Sequence, residues 1–155
     1  MAVFGALMTA AKFVMTPLPN VEPVSFTIFL LGAVFRWQAL FAVMVFVILE
    51  ALIYGFGLWW IAYLYVWAVA LCLAVVFRKM ESALGWAVLS GFFGLFFGAL
   101  CALVYLPIGG VTLYLATVVA GIPFDLIHCA GNFAFMLALG EPCRRILRQL
   151  RQQSL

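Results

Sequence analysis

The chain has 155 residues, 69% of them hydrophobic and 8% charged, with a net charge of +3 and a mean hydropathy of +1.27. No soluble domain of this size could hide that much apolar surface. Barrel strands would alternate apolar and polar residues, and nothing here does, so the composition predicts an all-α integral membrane protein with no separate soluble domain.

Taken in order, the first apolar segment is residues 2–15. It reaches only about 21 Å, short of a hydrocarbon core of about 30 Å. Ala2, Ala6 and Ala10 recur every four residues, a small-residue stripe that lets another helix approach closely. No basic n-region of a signal peptide precedes it, so the segment is expected to stay as a helix. Residues 17–23 contain three prolines and read as a stiff loop carrying Asn20 and Glu22. Spans are expected at 24–35 and 39–54, divided by a turn at Arg36-Trp37-Gln38. One continuous helix would leave Arg36 near the bilayer centre at about 3 kcal/mol. The fourth span is 58–77 and the fifth 84–106, which carries a second small stripe, Ser90, Gly94, Gly98 and Ala102. The sixth is 111–139, where Pro123 is expected to kink the helix, and a basic tail follows over 141–155. The expectation is a single domain, residues 1–155: a compact bundle of six transmembrane helices.

With six spans, Arg36, Arg78, Lys79 and the tail arginines fall on one side, leaving only Lys12 apart. The positive-inside rule then makes both termini cytoplasmic. The basic residues sit at loops and ends, a topology signal and not a nucleic-acid footprint. Cys72, Cys101, Cys129 and Cys143 form no CxxC pair and read as small apolar residues within spans.

Polar residues inside spans mark the candidate site. Glu50 lies one turn inside the outer end of the third span, with Tyr54 on the same face. Trp60, Tyr63 and Trp67 share a face of the fourth, and Tyr105 and Tyr114 flank the last outer turn. With Asn20 and Glu22 these make an aromatic pocket with a few polar groups, the composition of a small-molecule site. An aromatic belt at the membrane interface would explain about half of the rings, and pairing with Lys12 is the structural alternative for Glu50. Asp125, His128 and Asn132 follow i, i+3, i+7 spacing on one face of the sixth span. Either they tie helices together, or they contact a ligand or couple to a partner. The chain has no phosphate-loop motif, no H-E-x-x-H and no G-x-S-x-G. With one His and no Cys cluster, no metal site or catalytic residue is expected.

The alanine stripe, the loop Leu18-Pro19-Asn20-Val21-Glu22-Pro23-Val24, the span layout, and Pro123-Phe124-Asp125-Leu126-Ile127-His128 with Asn132 together resemble the substrate-binding S-components of energy-coupling factor (ECF) transporters. The similarity covers nearly the whole chain and is nearest to the cobalamin-type branch. It implies a multi-pass plasma-membrane protein of a prokaryote that is not an enzyme. Such a protein captures a vitamin at the outer face and holds no covalently bound cofactor. It docks through Ala2, Ala6 and Ala10 onto a membrane coupling (T) subunit driven by two cytoplasmic ATPase subunits, so ATP is used only by the partners. The Asn20–Glu22 loop would be the lid. A short first helix with no cytoplasmic leader departs from the family pattern. Two other readings compete: an intramembrane enzyme or relay using Asp125 and His128, and a structural membrane protein that self-associates through the Ser90/Gly94/Gly98/Ala102 stripe.

Overall fold

The computed structural model describes residues 1–16 and 23–153, and within them the chain is helical almost throughout. The helices are α1 (Ala2–Val14), α2 (Pro23–Phe35), α3 (Leu40–Tyr54), α4 (Leu58–Val76), α5 (Ala83–Ala102) and α6 (Leu106–Gln153). The proline-rich loop expected over 17–23, with Asn20 and Glu22, lies outside the described residues except for Pro23, which belongs to α2.

Local chemistry sets the ends. Pro23 opens α2, where its missing N–H would have had no partner. A 3₁₀ turn over Arg36–Ala39 separates α2 from α3, with Arg36 in the left-handed region at φ 60°. Gly55, at φ 80°, stops α3 in a conformation that costs glycine little. Ser82 caps α5, its Oγ accepting from the Gly85 N–H at 3.0 Å.

Two expectations change in the last third. The fifth span ends at Ala102 and passes through a 3₁₀ turn, Leu103–Tyr105, directly into α6. Within α6 only Gly110 leaves helical geometry (φ 65°, ψ −162°). The backbone therefore stays helical through Pro123, and the basic tail is not a separate segment but the end of the same helix, Pro142 included. Glu141 holds both Arg144 and Arg145 at i+3 and i+4, which supports the helix just beyond that proline.

Three stretches are long and apolar enough to cross a membrane: Pro23–Tyr54, Leu58–Val76 and Ala83–Gln153. The first and last each contain two helices joined by a 3₁₀ turn. The shorter α1 is apolar as well.

Side-chain contacts give the helix directions. Phe4 meets Phe35 and Lys12 meets Glu50, so α1 runs alongside α3 in the same sense and starts at the end of α2. Trp60 donates to Val47 near the end of α3, and Tyr65 donates to Leu100 near the end of α5, so α4 is antiparallel to both. Gly98 meets Asp125 and Ser90 meets Asn132, making α5 and α6 antiparallel. Ser25 meets His128 and Val34 meets Arg151, so α2 and α6 run together. Directions thus alternate along the chain. One end of the bundle gathers Arg36, Arg78, Lys79 and the arginines of α6; the other holds Lys12.

The core lies among α2, α3, α4 and α5, around Phe29, Phe46, Val66, Trp67 and Leu71, all buried. α5 and α6 pack backbone to backbone. A Cβ on Gly94 would stand 2.8 Å from the His128 carbonyl oxygen and 2.9 Å from the Cys129 nitrogen. The Ser90/Gly94/Gly98/Ala102 stripe is therefore covered by the chain's own helices and is not an outer surface.

Candidate functional site

At the arginine-poor end, the last turn of α1 brings Lys12 against the last turns of α3. Its ammonium Nζ lies 2.5 Å from Glu50 Oε2 and donates to the Tyr63 hydroxyl at 3.3 Å. Three rings stand around the same nitrogen, with centroids 5.2 Å (Tyr63), 5.6 Å (Tyr54) and 6.0 Å (Phe46) away. The helical repeat explains the set, since Phe46, Glu50 and Tyr54 are spaced by four on one face of α3. The carboxylate is 1% exposed and the lysine side chain 19%. Glu50 Oε1 is buried and has no hydrogen-bond partner among the described residues. A buried carboxylate oxygen left unbonded is costly, and among the described residues it is an unmet polar demand at this end.

A chain of rings leads inward. Tyr63 packs edge-on against Trp67 at 5.2 Å, Trp67 lies tilted against Phe97 at 5.3 Å, and Phe97 packs edge-on against His128 at 4.7 Å. Trp67 is fully buried and its indole N–H has no acceptor among the described residues. The polar face of α6 is also turned inward. Asp125 accepts from the Gly98 N–H at 2.9 Å, His128 Nε2 lies 3.2 Å from Ser25 Oγ, and Asn132 donates to the Ser90 carbonyl at 3.3 Å. Each bond ties α6 to α5 or α2. Among the described residues no hydrogen bond joins Asp125 to His128.

The remaining residues singled out in the sequence stand apart from this cluster. Trp60 donates to the Val47 carbonyl at 3.1 Å and packs edge-on against Phe56. Tyr105 sits in the 3₁₀ turn before α6. Tyr114 lines a lateral groove of about 480 Å³ walled by Leu73, Phe92, Phe96 and Leu100. The sequence reading thus brings Glu50, Tyr54, Tyr63 and Trp67 into one cluster. It missed Phe46, Phe97 and Ser25 as members. Phe46 was findable as the residue one turn before Glu50; Phe97 and Ser25 carry no signal that separates them from other core positions.

On α1, Gly5, Met8 and Thr9 face the bundle, with Gly5 against Ala42 and Val45. Ala2, Ala6 and Ala10 are exposed.

At the arginine-rich end, Arg144 is 4% exposed. It donates to the Met80 carbonyl at 3.2 Å and to Glu141, and its guanidinium lies 5.7 Å from the Trp86 ring centroid. Hydrogen bonds from Arg144 and then Arg145 pull the Glu141 carboxyl down to about 2. Arg151 donates to the Val34 carbonyl at 2.5 Å and so holds the end of α6 on α2. Among the described residues no group of three or more His, Cys, Asp or Glu side chains gathers to hold a metal ion.

No known protein family, no curated protein and no solved structure matches this chain.

Proposed function

We propose that this chain is the substrate-capturing membrane subunit of an ECF-type vitamin importer. On this reading the six alternating helices all cross the plasma membrane of a prokaryote. The arginine-rich end and both termini face the cytoplasm, as the positive-inside rule asks. The Lys12–Glu50 end faces outward and receives a vitamin-sized micronutrient, a corrinoid being the cargo the sequence resemblance favours. A membrane coupling (T) subunit docks on α1, and two cytoplasmic ATPase subunits supply the energy.

The observation that carries this reading is the division of labour on α1. Its buried face is supplied by Gly5, Met8 and Thr9, and the alanines at 2, 6 and 10 are left on the outside. Small residues spaced by four contribute little by facing lipid, but they allow a second helix to come close and leave again. The competing stripe on α5 is spent on α6, which removes the surface that self-association would use. Asp125 and His128 each bond to a different helix, so the arrangement lacks the mutual geometry of a catalytic pair.

The test is uptake together with binding. In cells carrying the coupling module, Ala6→Leu is expected to stop vitamin uptake while the purified variant binds the vitamin as the parent does. Loss of binding and uptake together would mean that the stripe supports the fold, and the docking role would fall.

A further inference from the structure

We infer that the cluster of Glu50, Phe46, Tyr54 and Tyr63 is a binding subsite for an organic cation, a protonated amine or quaternary ammonium, and that Lys12 occupies it as a resident surrogate while no ligand is bound. The inference rests on the capture reading above and gives its cargo a cationic group, in place of the corrinoid that the sequence resemblance favours.

The geometry is that of a cation receptor. A ring quadrupole attracts a positive charge lying within about 6 Å of the ring centroid, and cages of such rings recognise quaternary ammonium groups. Here three rings lie 5.2–6.0 Å from one nitrogen, and a carboxylate oxygen lies 2.5 Å from it. A simple structural ion pair needs the carboxylate but not three rings. The site is also unfinished, because Glu50 Oε1 is buried and accepts from nothing among the described residues. A ligand that brings a positive charge together with a hydrogen-bond donor, an N–H in a protonated amine or the O–H in choline, would satisfy both oxygens at once, which the lysine in its present position does not. Access exists as well: Lys12 stands two residues before the end of α1, and Tyr54 is 51% exposed.

The experiment uses the full chain purified in detergent, with tetramethylammonium and choline as probes. 3,3-Dimethylbutan-1-ol serves as the neutral isostere of choline, and sodium chloride as the ionic-strength control. Thermal unfolding followed by tryptophan fluorescence reads occupancy. The wild-type protein is expected to be stabilised by both cations and by neither control. In Lys12→Met the resident competitor is gone, and tetramethylammonium should bind on the order of ten-fold tighter than in the wild type. Tyr54→Leu, at an exposed position that leaves the fold intact, should weaken binding in the wild-type background by about two- to five-fold. Glu50→Gln should abolish the preference for cation over isostere. Should Lys12→Met fail to fold, Tyr54→Leu and the isostere comparison carry the test alone.

Equal binding of choline and its isostere would overturn the assignment, as would a Tyr54→Leu variant with unchanged affinity. A neutral vitamin that binds tightly while choline does not would defeat the cation subsite and leave the capture reading standing. Cation binding without partner-dependent uptake would support the subsite and count against the transport reading.

Discussion

Gly94 sits at the closest approach of α5 and α6, and replacing it with alanine tests that contact. The added Cβ would lie 2.8 Å from the His128 carbonyl oxygen, 2.9 Å from the Cys129 nitrogen and 2.9 Å from the His128 carbonyl carbon. All three are backbone atoms of a continuous helix, so no side chain can swing away. Relief requires α6 to move off by about half an ångström, which also stretches the Asp125 and Asn132 bonds on either side. Overpacking of this kind costs about 1–3 kcal/mol, and a backbone obstacle places it at the upper end. Alanine recovers about 1 kcal/mol of helix propensity over glycine. The net loss is about 2 kcal/mol, roughly a thirty-fold fall in the folding equilibrium. Gly121→Ala is the internal control, since the nearest atom to its Cβ is Asp125 Oδ2 at 3.9 Å. That variant gains propensity with no collision and should be more stable by up to about 1 kcal/mol. Both are read by equilibrium unfolding in mixed micelles with increasing SDS. Equal stability of Gly94→Ala and Gly121→Ala would refute the close packing of α5 on α6.

Three further outcomes follow from the same contacts. Lys12→Met strips the partner from a carboxylate that is 1% exposed, and should cost about 3 kcal/mol in the same unfolding assay. The double variant Lys12→Met/Glu50→Gln should recover most of that loss, and a double variant as unstable as the single one would show that the pair is not what holds α1 to α3. Asp125→Ala removes the acceptor for the Gly98 N–H and should cost about 1–2 kcal/mol, while Asp125→Asn, which keeps an acceptor oxygen, should cost less. At the basic end the Glu141 carboxyl titrates near 2 instead of 4.5 because Arg144 and Arg145 hold its charged form. A lowered folded-state value means that its contribution is complete above pH 4.5 and is lost as pH falls through that value toward 2. The stability difference between wild type and Glu141→Gln should therefore shrink over that window, and a difference that persists unchanged at pH 2 would contradict the pairing.

Much of the helix layout was legible because apolar runs and their interruptions are local signals. Arg36, the Gly55–Gly57 turn and the Arg78–Glu81 turn each end a helix within a few residues of where the sequence places the boundary. The last third was read less well. Pro123 and Pro142 are breakers by propensity, yet α6 runs through both, held by α5 on one side and by Glu141 with its arginines on the other. Glu50 announced itself because an acid in a span needs a reason to be there. Lys12 stood in the sequence as its structural alternative, and across 38 positions it is the parallel packing of α1 on α3 that brings the two together. Asp125, His128 and Asn132 share the face that their spacing requires, but which helix each one meets depends on tertiary contacts that spacing does not encode.

The central claim is that the chain captures a small cargo without help from a partner. Equilibrium binding of the purified full chain to a panel of vitamins, including corrinoids and cationic vitamins, tests it most directly. The expected result is saturable, one-to-one binding of one member, weakened by Glu50→Gln and untouched by Ala6→Leu. Protein that is folded by its unfolding transition and binds no member of the panel would contradict the account.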